Sequence, residues 1–265
     1  AHDATLLPVL AMLILNQRQK DLLAWVNREG YVAVEKMAAH FTVTHQTIRR
    51  DITLLAENKL LQRYHGGASV LSSVENVAYD ARQVLMIDEK RRIARALAAE
   101  IPDNASLFIN LGTTTEEVAK ALSQHRGLRV ITNNFHIANL MCDYPDCEVL
   151  VAGGALRKRD RGLTGEATVQ FIRQFKVDYG IIGISCIEAD GVLRDYDYRE
   201  VLTSQAIMQQ SRQVWLVADH SKFERPALVE LGHVSQLDAL FTDQPVSAEL
   251  QAVLDKGQTR LVVAG

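Results

Sequence analysis

The sequence predicts an α/β protein in two parts, an N-terminal winged helix-turn-helix domain and a larger C-terminal α/β domain with a mostly parallel sheet. Residues 42–68 combine a capped helix that carries paired arginines with an apolar strand ending in Gly-Gly, as a winged helix-turn-helix requires. Beyond residue 100, apolar runs bounded by turns alternate with segments of helical period, which is typical of a parallel sheet covered by helices on both faces. The chain of 265 residues is long enough for a small domain and a medium one.

The composition is that of a folded protein with an uneven charge distribution. Hydrophobic residues make up 48% of the chain and charged residues 23%, which argues against disorder. Residues 16–70 hold eight Lys and Arg against five Asp and Glu, a net charge of +3, whereas the whole chain carries −3. The remainder therefore carries −6, and a basic first part joined to an acidic second part fits a phosphate-contacting module attached to another domain.

Cysteine usage and the first residues bear on location. Cys142, Cys147 and Cys186 have neither disulfide nor zinc spacing, so we expect reduced thiols in a cytoplasmic protein. Residues 1–15 contain an apolar run that is too short to span a bilayer and that no basic residue precedes. We expect them to be an extension outside the fold, and we expect no membrane contact, metal or other cofactor.

The first elements of residues 16–70 follow from caps and stops. Asn16 can cap a first helix that ends at Gly30, and a short extended piece and a second helix over residues 35–41 follow. Thr44 can then cap a third helix over residues 45–57, and Asn58 in a left-handed conformation would end it.

Apolar spacing orients the third helix. Ile48, Ile52 and Leu55 recur at helical spacing and should face the core. Residues 60–65 are predicted as a strand that Gly66 and Gly67 turn. The polar side of the third helix is thereby left facing solvent.

The second part begins after a segment without a clear period. We assign residues 71–88 to a linker and residues 89–265 to the α/β domain, which opens with a helix over residues 89–100. Segments of helical period, such as residues 116–123 and 198–211, separate most of the apolar runs. The predicted strands are residues 107–110, 129–132, 149–152, 179–184, 214–218, 239–242 and 260–264.

The third helix of the first part is predicted to enter the major groove of DNA, because a helix-turn-helix contacts bases with the N-terminal half of its second helix. Gln can pair bidentately with adenine and Arg with guanine, while hairpin residues can hold the phosphate backbone. An Arg-Arg pair alone is more often a solvated helix face, but the short helix, the turn and the hairpin around it favour DNA binding. The candidate DNA-binding residues are Thr44, Gln46, Thr47, Arg49 and Arg50 on the helix, with Arg63 and His65 on the hairpin.

A candidate anion site lies in residues 108–117, which form a strand, a glycine turn, three threonines and a helix start. Gly112 lets the backbone approach a ligand closely, and the free N–H groups of a helix start favour an anion. The hydroxyls of Thr113, Thr114 and Thr115 can donate to phosphate oxygens, or the threonines can simply cap the helix. The segment does not match G-x-x-x-x-G-K-[ST], so nucleoside triphosphate binding is not expected.

Polar residues at other strand ends are candidates for the same site. Lys222 can place a positive charge beside a phosphate, and Asp219 and Glu200 can accept the hydroxyls of a sugar or polyol. Turn chemistry or an ordinary surface charge remains the alternative for each, and the basic residues 157–161 are interpreted as a solvated loop, with a phosphate clamp as the alternative. The candidate ligand-binding residues are Asn110, Gly112, Thr113, Thr114, Thr115, Asn133, Asn134, Gly153, Gly154, Glu200, Asp219 and Lys222.

Two motifs carry a family resemblance. Residues 47–51, Thr-Ile-Arg-Arg-Asp, and residues 60–68, Leu-Leu-Gln-Arg-Tyr-His-Gly-Gly-Ala, resemble the N-terminal domain of DeoR-family bacterial transcriptional regulators, and the resemblance continues nearly to the C-terminus. It implies that the first part binds double-stranded operator DNA. Because operators are usually read as paired half-sites, we expect a homo-oligomer, a dimer or a tetramer. The second part is then expected to resemble ribose-5-phosphate isomerase and to bind a phosphorylated sugar or polyol that alters operator affinity.

Within this family, six short stretches are especially similar to members that govern glycerol-3-phosphate metabolism, which implies a repressor with glycerol-3-phosphate as its effector. The family's phosphate loop reads Asp-x-Gly-Thr-Thr, and Asn110 replaces the aspartate, which keeps hydrogen bonding but removes a carboxylate base. The alternative is a sugar-phosphate isomerase-like enzyme with an attached DNA-binding head. It would need a general base from Glu200, Asp219 or Lys222, and we assign no catalytic residue. The six stretches are residues 131–134, 152–154, 165–168, 174–175, 197–198 and 219–223.

Overall fold

The structure is a computed structural model that describes residues 15–29, 31–58, 60–64, 66–70, 79–223 and 225–265, and the structural statements below concern these residues. The predicted helix stop Gly30, the hairpin candidate His65, the extension up to residue 14 and linker residues 71–78 lie outside them. In this described part of the chain, no helix is both long enough and apolar enough to cross a bilayer.

The first part, which we call the head, is three helices and a small antiparallel sheet around one apolar core. Its strands lie in the order β1-β3-β2, and Ile48, Ile52 and Leu55 are buried in the core as predicted. The elements are α1 (Gln17–Glu29), β1 (Tyr31–Ala33), α2 (Val34–Phe41), α3 (His45–Glu57), β2 (Gln62–Tyr64) and β3 (Gly67–Ser69).

The predicted caps of the head are confirmed at two helix starts and wrong at one helix end. Asn16 Oδ1 accepts from the amide of Gln19 at 3.0 Å, and Thr44 Oγ1 accepts from the amide of Thr47 at 3.2 Å. Asn58 does not adopt the predicted left-handed conformation, since its φ is −89° and its ψ is 11°. Its side-chain amide instead donates to the Leu54 carbonyl at 2.7 Å, so that carbonyl is satisfied without a reversal of the chain.

The second part, which we call the body, is built on a seven-stranded parallel sheet with helices on both faces. The strand order is β15-β14-β12-β9-β4-β5-β6. The body elements are α4 (Tyr79–Val84), α5 (Ile87–Ala98), β4 (Ser106–Ile109), α6 (Thr113–Ala121), β5 (Leu128–Thr132), α7 (Phe135–Met141), β6 (Cys147–Val151), β7 (Ala155–Leu156), β8 (Leu163–Thr164), α8 (Glu166–Ile172), β9 (Val177–Gly183), β10 (Cys186–Ile187), β11 (Val192–Asp195), α9 (Tyr198–Gln209), β12 (Ser211–Val217), β13 (Val229–His233), β14 (Ala239–Thr242), α10 (Ala248–Gly257) and β15 (Arg260–Val263).

The sheet has a topological switch point at β4. From β4 the chain adds β5 and β6 on one side and then returns to place β9 on the other side. Helices α5, α6 and α7 pack on one face of the sheet, and α8, α9 and α10 pack on the other. In open α/β sheets, ligands bind at the carboxyl ends of the strands that flank such a switch, which here means the ends of β4 and β9.

The seven predicted strands of the sheet are all confirmed, while several shorter elements were not predicted from the sequence. Strands β7 and β8 form a hairpin, and β10, β11 and β13 form a small antiparallel sheet. These pieces have only two to five residues. The predicted linker contains α4, and the next helix begins at Ile87 rather than Glu89.

Candidate functional site

The polar side of α3 lies on the surface, opposite its buried apolar side. Thr44, Gln46, Arg49 and Arg50 are exposed and Thr47 is half-buried. Within the described residues neither arginine forms an ion pair. A side of a helix that presents glutamine and two unpaired arginines has the donors and acceptors that read base edges and phosphates.

Asp51, the acidic residue of the same motif, faces the other way and is only 4% exposed. Its carboxylate accepts from Arg18 Nε at 2.7 Å and from Gln19 Nε2 at 2.9 Å, both on α1. These bonds fix the rotation of α3 about its axis, which sets the direction in which Arg49 and Arg50 point.

The hairpin places one further predicted residue on the surface. Arg63 is exposed on β2 and pairs in register with Ala68 of β3. The turn is tight because Gly66 has a φ of +83° and a Cβ on Gly67 would lie 2.5 Å from the Val32 carbonyl oxygen. Arg63 therefore stands on a hairpin beside α3, where a phosphate contact is possible.

At the switch point of the body, a small polar cavity of about 30 Å³ opens at the carboxyl ends of β4 and β9. We call it the switch-point cavity. Six of the twelve sequence candidates line it, namely Asn110, Gly112, Thr113, Thr114, Glu200 and Lys222. Its remaining walls are Arg82, Leu111, Gly183, Ile184, Ser185, Asp195 and Ser204.

The loop after β4 turns the start of α6 toward this cavity. Gly112 has a φ of +156°, and a Cβ there would lie 3.1 Å from Thr115 Oγ1. The Thr115 hydroxyl donates to the carbonyls of Asn110 at 2.7 Å and Gly112 at 2.8 Å, so it holds the loop and is fully buried. The amides of Gly112, Thr113 and Thr114 have no acceptor within the described residues, as expected for the first N–H groups of a helix.

Asn110 lies at the base of the cavity and ties it to α9. Its Nδ2 donates to Ser204 Oγ at 2.7 Å, and its Oδ1 accepts from the Leu111 amide at 2.7 Å. A carboxylate here would repel the lone pairs of Ser204 unless the serine reversed its hydroxyl. The neutral amide side chain of Asn110 therefore suits this hydrogen-bond pattern.

Lys222 supplies the cavity's buried cation. It lies in a 3-10 turn, His220–Lys222, that follows β12, and it is 8% exposed. In the described part of the chain its ammonium group makes no hydrogen bond or ion pair. Burial, reinforced by the positive charge of Arg225, lowers the pKa of Lys222 to about 7. An anion in the cavity would remove this destabilisation of the charged form.

Asp219, another sequence candidate, lies behind Lys222 instead of lining the cavity. Its Oδ1 accepts from the Ser221 amide at 3.0 Å, while its buried Oδ2 has no partner within the described residues. Burial alone would raise the pKa of Asp219, but the positive charges of Lys222 and Lys90 hold it below its ordinary value. The carboxylate thus offsets the charge of Lys222 from the protein side.

Two carboxylates also line the cavity. Asp195 Oδ1 accepts from Ser185 Oγ and from the Tyr196 amide, each at 2.8 Å. Burial raises the pKa of both Asp195 and Glu200, and the charge of Asp195 raises that of Glu200 further. The cavity thus combines two cations and free amides with carboxylate acceptors, and the positive charges of Arg82 and Lys222 act on Asp195.

The basic residues 157–161 are not the solvated loop that the sequence suggested, at least at their first position. Arg157 is 10% exposed and lies 2.7 Å from Asp160, 3.0 Å from Asp197 and 2.6 Å from Glu200. Arg159 also reaches Glu200, at 3.0 Å. These arginines orient the N-terminus of α9 and the carboxylate of Glu200.

The other four sequence candidates lie away from the cavity and support its scaffold. Asn133 accepts from the Leu111 amide at 3.1 Å, and Asn134 caps α7 and donates to Glu116 at 2.9 Å. The Gly153 carbonyl accepts from Thr168 at 2.6 Å, and a Cβ on Gly154 would lie 2.2 Å from Thr168 Oγ1. The side chains of Asn133 and Asn134 are thus satisfied inside the protein.

Four polar residues of the cavity were missed by sequence reasoning. Ser185 lies two residues after the end of β9, so the rule that ligands meet strand ends could have found it. Asp195 and Ser204 lie on a short strand and in the middle of a helix, where no local signal marks them. Arg82 lies in the predicted linker, and only tertiary contacts bring it to the cavity.

Comparison with known proteins gives matches over almost the whole chain. The family model described as the DeoR C terminal sensor domain matches residues 85–244, and the DeoR-like helix-turn-helix domain matches residues 18–74. The glycerol-3-phosphate regulon repressor of Escherichia coli (strain K12) is 48% identical over 238 residues, which are 90% of this chain and 94% of that protein. The glycerol-3-phosphate regulon repressor of Haemophilus influenzae is 47% identical over 246 residues, 93% of this chain and 96% of that protein.

More distant matches include another transcriptional repressor and the solved structure of an isomerase. The HTH-type transcriptional repressor CsqR of Escherichia coli (strain K12) is 40% identical over 254 residues, 96% of this chain and 97% of that protein. Among solved structures, ribose 5 phosphate isomerase A from Neisseria gonorrhoeae matches with a TM-score of 0.38 and 16% identity, over 51% of this chain and 52% of that chain.

Proposed function

Because this chain belongs to the DeoR family of transcriptional repressors, with a helix-turn-helix domain and a C-terminal sensor domain that binds an effector, we propose that it controls glycerol-3-phosphate metabolism. The effector is glycerol-3-phosphate, and its site is the switch-point cavity, which widens to admit it. The buried, unpartnered ammonium group of Lys222 beside the free amides of α6 is the observation that carries this proposal.

The phosphate lies beside Lys222 and the start of α6. The amides of Gly112, Thr113 and Thr114 donate to its oxygens at the positive end of the α6 dipole, and the hydroxyls of Thr113 and Thr114 add donors. Lys222 supplies the full charge. Since both the ammonium group and the amides lack partners in the described residues, a phosphate would satisfy several buried donors at once.

The polyol lies beside the two carboxylates. Asp195 and Glu200 are acceptors, and Ser185 and Ser204 offer hydroxyls that can donate or accept. Glycerol-3-phosphate has two hydroxyl groups, which match the two carboxylates of Asp195 and Glu200. The glycerol-3-phosphate regulon repressors that this chain resembles support the same ligand.

The head binds double-stranded operator DNA through α3. Thr44, Gln46, Thr47, Arg49 and Arg50 face the major groove, and Arg63 and His65 hold the phosphate backbone. We place operator binding in residues 16–70 and effector binding in residues 89–265, joined by the linker 71–88. The protein acts in the cytoplasm as a dimer or tetramer that meets paired half-sites.

Effector binding lowers operator affinity without turnover. For a coupling of about 1–3 kcal/mol between the sites, operator affinity changes about 5- to 150-fold. We assign no catalytic residue, because Asn110 cannot act as a base and Glu200 is held by Arg157 and Arg159. Asp219 does not line the cavity, and Lys222 is assigned to the phosphate. Incubation with ribose-5-phosphate should therefore yield no ribulose-5-phosphate, and turnover would favour the isomerase-like enzyme instead.

The test is operator binding by fluorescence anisotropy at ~0.1 M salt, which leaves phosphate contacts strong enough to detect, with labelled DNA from the protein's own gene neighbourhood. Glycerol-3-phosphate, ribose-5-phosphate, fructose phosphates and inorganic phosphate are then added separately. We expect glycerol-3-phosphate alone to weaken binding, and expect Lys222→Met to abolish the response while Lys256→Met, an exposed lysine on α10, keeps it. Failure to bind this DNA, or a response to none of the phosphates, would contradict the proposal.

A further inference from the structure

Helix α4 and the turn after it lie between the switch-point cavity and the head. Arg82 on α4 lines the cavity. Leu85 and Met86, three and four residues later, are each 7% exposed and belong to the apolar core of the head, together with Leu22 and Leu23 of α1. A segment of five residues thus connects the candidate effector site with the packing of the DNA-binding domain.

The start of α4 is fixed to the body. The Tyr79 hydroxyl donates to both carboxylate oxygens of Glu116, at 2.7 and 2.9 Å, and its ring stacks on His136 with a centroid distance of 5.6 Å. Glu116 belongs to α6, whose first amides line the cavity. Helix α4 therefore sits directly on the element that would receive a phosphate.

The end of α4 is fixed through its backbone. The buried ammonium group of Lys90 on α5 donates to the Arg82 carbonyl oxygen. The guanidinium of Arg82 lies over the Tyr79 ring, 5.7 Å from its centroid. Its charge also acts on Asp195, Glu200 and Lys222, the charged groups of the cavity.

Met86 has the backbone of a residue held in place by its neighbours. Its φ is +54° and its ψ is 36°, a left-handed conformation that residues with a Cβ rarely adopt. Such conformations persist where surrounding packing imposes them, and they mark positions where a chain can switch. Here the packing that holds Met86 comes from the head.

A second body segment makes the same connection. Lys222 lines the cavity, while His220, Ser221 and Phe223 of the same turn line a groove against Lys20, Leu23 and Asn27 of α1. Both cationic side chains of the switch-point cavity therefore lie on segments whose neighbouring residues face the head. A ligand that draws the two cations together would move both segments.

We propose that Arg82 binds the effector's phosphate directly, and that α4 with Leu85 and Met86 transmits occupancy of the cavity to the head. The inference rests on the proposed phosphorylated effector. In the occupied state the phosphate draws Arg82 toward Lys222 and the start of α6. Leu85 and Met86 then shift in the core beneath α1 and α3, and α3 loses the orientation that fits the operator. The cavity and the head are the two coupled sites, and residues 82–86 form the element whose conformation depends on both.

Two measurements on the full chain test this inference. Calorimetry gives effector affinity, and anisotropy gives operator affinity with and without saturating effector. For Arg82→Gln we expect effector affinity to fall at least tenfold with operator affinity unchanged when no effector is present. Arg95→Gln, which removes an exposed arginine of α5, should leave both unchanged.

Leu85→Ala tests transmission. We expect it to bind effector within threefold of the wild type, while the ratio of operator affinities without and with effector falls toward one. Leu254→Ala, which removes the same atoms from the α10 side of the body core, should keep the wild-type ratio. Leu85→Val serves if Leu85→Ala does not fold, and its ratio should be intermediate.

The outcomes separate this inference from the proposed function. Wild-type effector affinity in Arg82→Gln, or a wild-type ratio in both Leu85 variants, overturns the inference and leaves the effector assignment standing. A wild type that responds to a phosphate other than glycerol-3-phosphate changes the ligand alone, and Arg82→Gln is then tested with that phosphate. A wild type that binds no phosphate in the panel overturns both.

Discussion

Asp51 on α3 accepts a hydrogen bond from Arg18 on α1, with the carboxylate oxygen 2.7 Å from the guanidinium Nε. The same carboxylate receives the Gln19 side-chain amide at 2.9 Å, and it is almost completely buried. Because Asp51 directly follows Arg49 and Arg50, this buried pair fixes the direction in which the two exposed arginines point. The head thus uses one residue of its signature motif for structure, and the neighbouring arginines are the ones we propose for contact with DNA.

Asp51→Ala should destabilise the head and weaken operator binding. The substitution leaves the buried amide of Gln19 without its acceptor and Arg18 without its partner, a loss of about 1–3 kcal/mol in the free energy of unfolding. Urea unfolding, followed by the fluorescence of Trp25 in the head, measures this loss in the free energy of unfolding. Glu57→Ala, which removes an exposed carboxylate from the end of α3, should change stability by less than about 0.5 kcal/mol. Equal effects of the two substitutions would show that the buried pair contributes nothing special.

Arg49→Ala and Arg50→Ala should weaken DNA binding in different ways. The two side chains point about 100° apart on the helix, so one can read a base while the other holds a phosphate. Loss of a base contact should cost about 1–3 kcal/mol on the operator and little on unrelated DNA. Loss of a phosphate contact should weaken both and reduce the salt dependence by about one ion.

Anisotropy titrations at several salt concentrations separate these cases. Arg126→Ala is the matched control, because it changes net charge equally and lies exposed on the body. If both α3 variants bind the operator as Arg126→Ala does, α3 does not read it.

Thr114→Val and Thr115→Val should differ although the residues are adjacent. Thr114 lines the cavity, so its substitution should weaken effector binding by about 0.5–1.5 kcal/mol and leave stability nearly unchanged. The Thr115 hydroxyl bonds to the Asn110 and Gly112 carbonyls inside the protein. Its substitution should lower stability by about 1–3 kcal/mol. Thermal unfolding with and without glycerol-3-phosphate distinguishes the two, and a reversed pattern would contradict the loop geometry.

The sequence predicted the sheet because each parallel strand contains an apolar run between turns, mostly buried in the five central strands and partly exposed in the edge strands β6 and β15. The short antiparallel strands lack such a run, since β11 and β13 mix apolar and charged residues and β7 has only two residues. Their positions are set by neighbours across the sheet. Topology also explains the half of the cavity that was predicted, because Asn110, Gly112 and Lys222 follow strands whose carboxyl ends meet.

The remaining residues of the cavity depend on contacts that no local pattern encodes. Arg82 reaches it because Tyr79 bonds to Glu116, 37 residues further along the chain. Arg157 is buried because its guanidinium donates to the carboxylate of Asp197, 40 residues further along the chain. Without knowledge of Asp197, the basic run 157–161 resembles a solvated loop. Without knowledge of the bond between Tyr79 and Glu116, the segment that forms α4 shows no helical signal.

Effector binding should weaken as pH rises above neutrality. Burial lowers the pKa of Lys222 to about 7, so the ammonium group of the free protein loses its proton above that pH. A phosphate beside the nitrogen favours the charged form and raises this pKa, so binding takes up a proton between the two values. The phosphate itself, with a second pKa of about 6, is already a dianion from about pH 7.5 upward. Affinity should therefore fall by up to about tenfold per pH unit above this point.

Calorimetry in buffers of different ionisation enthalpy measures this proton directly, and we expect an uptake approaching one proton per ligand near pH 8.5. Lys222→Met should abolish both the uptake and the pH slope. His220 needs its own control, because its hydrogen bond to Asp243, 2.6 Å long, raises its pKa from an ordinary value near neutrality. His220 lies on the head side of the turn and not in the cavity, so His220→Gln should retain the uptake. A slope that survives in Lys222→Met and vanishes in His220→Gln would assign the proton to the histidine and remove Lys222 from the phosphate site.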